Sequence, residues 1–303
     1  MGGHSMFQKI VVPLDGSKEA EHALDAALYF AKLYNAELLL VQVSDLPVTM
    51  AESMGQKYLE LREQLRQESI VYLKRLGEKL QLRDKVQTMV LEGHPVERLL
   101  VVCREFSADL VVMTSHGRSG FERWLLGSVT ESFARRSPAP VLILRGSNPV
   151  HLPLGKKILV TLDGSTTAEA ILPVATSLAE QAQGELVLFH SYHDGVSNSF
   201  EFADHELYPP KEGERDLNEV ADIARTYLDK KVETLKSSSV KAVGKSSKSY
   251  PAEAILETAE AEDVDLIALT SHGATGLTKW IFGSVAEKIL RHADRPILIK
   301  NSD

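Results

Sequence analysis

Cysteine is almost absent from this chain: Cys103 stands alone among 303 residues. One thiol cannot close an intrachain disulfide, which excludes a disulfide-stapled fold and fits a reducing cytoplasm. Cys103 lies in the apolar helical stretch LLVVCREF and reads as a small buried hydrophobe. No apolar run approaches the roughly 18 residues that a membrane-spanning helix needs. The N-terminus carries no signal-peptide pattern, and residues 1–5, MGGHS, read as a tag remnant ahead of a native start at Met6. Positive charge is in deficit, with 34 Lys and Arg against 42 Asp and Glu and a net charge of −8. That balance argues against a nucleic-acid partner, which would favour a basic face.

Several catalytic and phosphate motifs are missing as well. No GxxxxGK[ST] is present, and no GxGxxG follows a strand, so neither a Walker-type nucleotidase nor a dinucleotide enzyme is supported. No GxSxG elbow appears. Neither copy of the repeat described next pairs a Ser or Cys nucleophile with a base and a carboxylate at a telling spacing.

The chain does contain a repeat. Residues 114–131, TSHGRSGFERWLLGSVTE, return at 270–287 as TSHGATGLTKWIFGSVAE, and VVPLDGS at 11–17 returns at 159–165 as LVTLDGS. The chain is therefore read as two copies of one domain, 6–146 and 156–303, joined by a Gly- and Pro-containing linker at 147–155. Two domains also suit the length.

In the first copy KIVVPL, AELLLVQV, VQTMVLEG, ADLVVMTS and APVLILR read as five strands, with helical spacing between them. Residues 19–34 and 54–82 read as continuous helices, the latter with Leu59, Leu65, Leu73, Leu76 and Leu80 on one face. Pro95 fits the first turn of the next helix. The second copy repeats the plan with KILVTL, ELVLFH, KAVGKSS, VDLIALTS and RPILIK. It has eight extra residues near 193–215, read as a surface excursion. Strands that are continuously apolar and alternate with helices predict an α/β fold: in each copy a five-stranded parallel sheet with helices on both faces. Ligands of such sheets bind at the carboxyl ends of the strands. The DGS and SHG loops fall at that end.

Gly117 and Gly120 permit close backbone approach to a ligand. Gly127-Ser128 and Gly283-Ser284 then open a helix, whose free amides suit a phosphate. Ser128 and Glu131, like Ser284 and Glu287, also fit a capping box, so each serine has a cap to make as well as a ligand to hold.

These residues resemble the nucleotide-binding signature of the universal stress protein family, G-x-x-G, nine residues, then G-S/T. Gly117 precedes Gly127-Ser128, and Gly273 precedes Gly283-Ser284, at that spacing; the signature's first glycine is Thr114 in one copy and Thr270 in the other. The resemblance covers nearly the whole chain. It implies two tandem Rossmann-like domains of the adenine nucleotide alpha hydrolase-like kind, binding ATP, ADP or AMP in a stress response and regulatory rather than catalytic. Mg accompanying ATP is compatible, and no metal site of the protein's own is implied. Asp15 and Asp163 would contact the nucleoside, and Val43 or Ser191 would meet the adenine edge through the backbone. The phosphates would fall to Thr114, His116, Gly117, Gly120, Gly127, Ser128, Val129 and Thr130, and to Thr270, His272, Gly273, Gly276, Gly283, Ser284 and Val285. Family members pair through the fifth strand, which implies self-association. An interaction module with an empty site and a slow ATP hydrolase are the alternatives.

The copies are not equivalent at the site. Pro13, Val43 and Thr130 match the family's binding members, where the second copy has Thr161, Ser191 and Ala286. Gly93 is matched by Ser249 and Arg118 by Ala274, while Arg123 keeps its charge as Lys279. The first copy is expected to bind more tightly. Asp15 and Asp163 also have a purely local role open to them, bonding the D-G-S turn. His190, His193, Asp194 and His205 carry donor types for zinc, but His190 belongs to the second strand and the others to what reads as a solvated loop, which is the preferred reading. Trp124 and Trp280 read as anchors of the glycine loop.

Overall fold

The computed structural model describes residues 6–47, 49–115, 126–145, 150–192, 217–272 and 282–301. The chain divides into two compact units between Val150 and His151.

In unit 1 the strands are β1 (Lys9–Leu14), β2 (Glu37–Ser44), β3 (Val86–Glu92), β4 (Leu110–Thr114) and β5 (Val141–Leu144). They pair in parallel in the order β3-β2-β1-β4-β5. The helices are α1 (Lys18–Glu21), α2 (Ala23–Tyr34), α3 (Thr49–Met54), α4 (Gln56–Lys79), α5 (Pro95–Glu105) and α6 (Ser128–Ala134). Helix α2 packs on β1 and β4 and α4 on β2 and β3, while α5 packs on β2 and against α6. Strand order reverses between β1 and β4, so the loops leaving these two strands diverge and open a crevice between them.

Unit 2 repeats the plan. Strands β6 (Lys157–Thr161), β7 (Glu185–Tyr192), β8 (Lys241–Lys248), β9 (Leu266–Thr270) and β10 (Ile297–Lys300) lie in the order β8-β7-β6-β9-β10, all parallel. Its helices are α7 (Thr166–Glu169), α8 (Leu172–Ala182), α9 (Leu217–Leu235), α10 (Pro251–Ala261) and α11 (Ser284–His292).

Two helices differ from the sequence reading. The helix expected over 19–34 is interrupted at His22, whose N–H reaches Glu19 O at 3.2 Å, a tight three-residue span. The helix expected over 54–82 breaks at Gly55, which sits at φ +54°, and α4 begins only after it. Leu59 does not join the apolar face and is 51% exposed. The buried stripe of α4 is Tyr58, Ser69, Leu73 and Leu76, continued by Leu80. Cys103 is buried as expected, and burial pushes its thiol up to about 12.

The amino ends of the sheets are pinned alike. The Asp109 carboxylate accepts the N–H groups of Gln8 (2.8 Å) and Lys9 (3.0 Å), and Asp265 accepts those of Gly155 (2.7 Å) and Lys157 (2.8 Å). The neighbouring lysine is then held by different chemistry. Lys9 Nζ lies 5.3 Å from the Phe106 ring centroid. Lys157 Nζ instead donates to Glu262 at 2.8 Å, a carboxylate that Lys245 also reaches. Hydrogen bonds from Lys157 and then Lys245 hold the Glu262 pKa at about 2, below its ordinary 4.5. A carboxylate with a depressed pKa contributes stability above its unfolded pKa, and that contribution fades as pH falls through the folded value. The melting-temperature gap between the wild type and Glu262→Gln is therefore expected to be widest above pH 4.5 and to close toward about pH 2. A pH series of thermal melts on the two proteins measures it.

Candidate functional site

The carboxyl end of β1 is shaped by one short relay. Asp15 Oδ1 accepts the Ser17 N–H at 3.0 Å and the Ser17 hydroxyl at 2.6 Å. Ser17 Oγ accepts the Ala20 N–H at 3.1 Å and so caps α1. Gly16 sits at φ +87°, a conformation that favours glycine. Unit 2 repeats the relay through Asp163, Ser165 and Ala168 at 3.0, 2.6 and 3.1 Å, with Gly164 at φ +94°. Each aspartate thus performs the local turn role at the carboxyl end of the sheet.

The carboxyl end of β4 meets the start of α6. Ser128 is the first helical residue and does not cap; the N-cap position is Gly127, whose carbonyl accepts the Glu131 N–H at 2.9 Å. The capping box is likewise unused at Ser284, where Gly283 takes the N-cap position. In place of a box, Glu131 and Glu287 each pair with an arginine four residues on, Arg135 and Arg291. The amides of Ser128, Val129 and Thr130 precede the first intrahelical bond, that of Glu131. The Gly127 N–H donates to Ser115 O at 2.8 Å, and Gly283 N–H to Ser271 O at 2.9 Å, closing the two ends of each glycine segment. Thr130 Oγ1 donates to Thr114 O at 2.9 Å and ties the helix start to the strand end. Ala286 occupies the equivalent place in unit 2, where Thr270 Oγ1 donates instead to His272 O at 2.7 Å.

Between these loops unit 1 holds a cavity of about 270 Å³. It gathers Pro13, Asp15, Val43, Thr114, Gly127, Ser128, Val129 and Thr130, eight residues singled out in the sequence. It also takes in Leu14, Ala20, Val41, Pro95, Leu99 and Met113, which the sequence reading passed over. Val41 could have been found from its spacing of two from Val43 on one strand. Pro95 and Leu99 lie one helical turn apart at the start of α5, but no motif marks that helix as a wall.

Of the second-copy positions, Asp163 follows β6, Ser191 lies in β7, Thr270 ends β9, His272 follows it, and Gly283, Ser284 and Val285 open α11. The loops after the third strands fold back alike, Gly93 N–H to Ser44 O and Ser249 N–H to Tyr192 O, both at 3.0 Å. Gly93 has a backbone reason to be glycine, φ +120°. His116, Gly117, Gly120, Gly273 and Gly276 lie outside the described residues, as do Arg118, Arg123, Ala274, Lys279, Trp124, Trp280, residues 1–5, read as a tag remnant, and residues 193–215 with His193, Asp194 and His205.

His190 is a core residue of β7, 4% exposed, with Nδ1 at 2.9 Å from Leu162 O and its ring against Tyr227 at 6.1 Å. Burial lowers its pKa below the ordinary imidazole value. No cluster of three or more His, Cys, Asp or Glu is placed to hold a metal among the described residues. Among those residues, too, no helix is long and apolar enough to cross a membrane.

A pair of doubly wound parallel α/β units, the first with a cavity at its strand-order reversal, defines the class of protein. The sequence profile of the universal stress protein family matches residues 6–145 and again 155–300, so the chain belongs to that family, with two copies of its domain. A universal stress protein of Mycobacterium tuberculosis is 27% identical over 309 residues, 96% of each chain. One from Methanocaldococcus jannaschii is 33% identical over 146 residues, covering 47% of this chain and 85% of that protein. The crystal structure of a universal stress protein from Archaeoglobus fulgidus, 22% identical, superposes with a TM-score of 0.76 over 99% of this chain and 100% of that one, which shows the shared fold.

The Thr130–Thr114 bond is buried, and its loss leaves a buried carbonyl without its hydroxyl partner. Thr130→Val is expected to destabilise unit 1 by about 1 kcal/mol, a melting shift of roughly 2–4 °C for a domain of this size. Differential scanning calorimetry of the variant checks this.

Proposed function

We propose that the cavity of unit 1 binds an adenine nucleotide, ATP, ADP or AMP, and that the protein acts in a stress response as a nucleotide-responsive regulator in the cytoplasm. The observation that carries the reading is the composition of the cavity's two ends. Val41, Val43, Leu99 and Met113 give an apolar slot for a flat base. Asp15 stands where ribose hydroxyls can donate to a carboxylate, and the amides of Ser128, Val129 and Thr130 stand where phosphate oxygens can accept. At about 270 Å³ the cavity is at the small end for a ligand site, suited to the nucleoside, with the phosphates extending toward the glycine segment. Mg²⁺ would arrive with ATP rather than on ligands of the protein. The reading is of binding without turnover, since no Walker lysine accompanies the loop. In unit 2 Asp163, Ser191, Thr270, His272, Gly283, Ser284 and Val285, with Gly273 and Gly276, form the corresponding set.

Adenine nucleotides are expected to raise the melting temperature of the chain, with about 2.7 kcal/mol of stabilisation at a hundredfold excess over Kd. Calorimetric titration and thermal melts unchanged by millimolar-range nucleotide would refute the reading. Gly127 gives a sharper test. It sits at φ −60°, open to any residue, and a Cβ built on its twin Gly283 stays 3.6 Å from Ser271 O. The backbone at this position does not demand glycine, and on the nucleotide reading the glycine permits close approach of a phosphate. Gly127→Val is expected to keep the fold and weaken nucleotide binding at least about tenfold, or 1.4 kcal/mol. Unchanged affinity would place the site elsewhere.

A further inference from the structure

The two units carry different side chains at the place where the base would sit. In unit 1 Val41 lies opposite Pro13 in the β1–β2 ladder and lines the cavity. In unit 2 the same ladder position, opposite Thr161, is Phe189. Strand alternation fixes which way Phe189 faces. Its neighbour His190 meets Tyr227 of α9, so Phe189 points to the opposite face of the sheet, which α10 covers. That is the face on which Val41 meets Pro95 and Leu99 of α5 in unit 1.

We infer that the Phe189 ring occupies the base-binding space of unit 2, so that the chain takes up one adenine nucleotide, in unit 1, and Phe189 sets this selectivity. The inference rests on the reading of unit 1 as a nucleotide site. A benzyl group replaces an isopropyl group in a space that holds only about 270 Å³ in unit 1. The ring is 2% exposed, packed into the interior as Val41 is in unit 1. Filling such a space with a larger side chain leaves no room for a ligand of similar shape. The polar end of the site, Gly283 with the start of α11, is conformationally like its counterpart, with φ −59° against −60° at Gly127. The helix start is thus kept at this end, while the base end changes from Val41 to Phe189.

The test is nucleotide stoichiometry of the full chain, by calorimetric titration and equilibrium dialysis with ADP. The wild type is expected to bind one ADP per chain. Phe189→Val opens the second site and raises the count to two; Val41→Phe closes the first, weakening binding at least about tenfold. Val41→Phe/Phe189→Val moves the single site to unit 2. Circular dichroism and melting confirm folding, and Phe189→Leu, a smaller change of volume, serves if Phe189→Val does not fold. Two ADP bound by the wild type, a count that stays at one in both folded Phe189 variants, or a count that falls in them because the ring stacks on the base, would each overturn the inference. A wild type that binds no ADP would overturn the nucleotide reading itself and this inference with it.

Discussion

The turn that leaves the first strand of each unit depends on one carboxylate oxygen. Asp15 Oδ1 holds both the amide and the hydroxyl of Ser17, and that hydroxyl in turn holds the Ala20 amide. The relay ends β1, turns the chain at a left-handed glycine and starts α1. Its recurrence in unit 2 at the same distances shows that the geometry belongs to the D-G-S sequence itself. Because the turn uses one carboxylate oxygen inside the fold, the aspartate is held still at the edge of the crevice. A group meant to recognise a ligand gains from being held in place before the ligand arrives.

The opposite edge of the sheet is under a looser constraint. Asp109 and Asp265 anchor their strands in the same way, yet the lysine beside each is held by an aromatic ring in one unit and by carboxylates in the other. A lysine at a strand's amino end needs a favourable partner, and either chemistry supplies one. The carboxyl edge keeps D-G-S and G-S in both units, while its apolar wall changes from Val41 to Phe189. The turns and helix starts are thus separable from the apolar wall beside them, and a duplicated domain can keep the first while varying the second.

Much of this was legible in the sequence because it rests on local chemistry. The strands were readable as apolar runs, the helix at Pro95 from its proline, and the repeat from two matching blocks. The misreadings came where several residues compete. Ser128 and Glu131 spell a capping box, but Gly127 takes the N-cap position and Glu131 turns to Arg135. Leu59 was read onto the apolar face, but it follows buried Tyr58 by one residue, about 100° further round α4, and so stands in solvent. His190, by contrast, was read as a member of the second strand of its copy, and it is a buried residue of β7. Val41 and Phe189 went unnoticed because an apolar residue in a strand says only that it is buried. Ladder register and strand alternation were needed to place Phe189 at the position that Val41 holds beside the unit 1 cavity.

The central claim is that the crevice between β1 and β4 of unit 1 holds an adenine nucleotide. It is tested most directly by a crystal structure of the protein grown with ADP. The account predicts the base between Val43 and Leu99, the ribose at Asp15 and a phosphate at the amides of Ser128 to Thr130. A crevice without nucleotide in crystals grown at saturating ADP, or nucleotide bound only elsewhere on the chain, would contradict it.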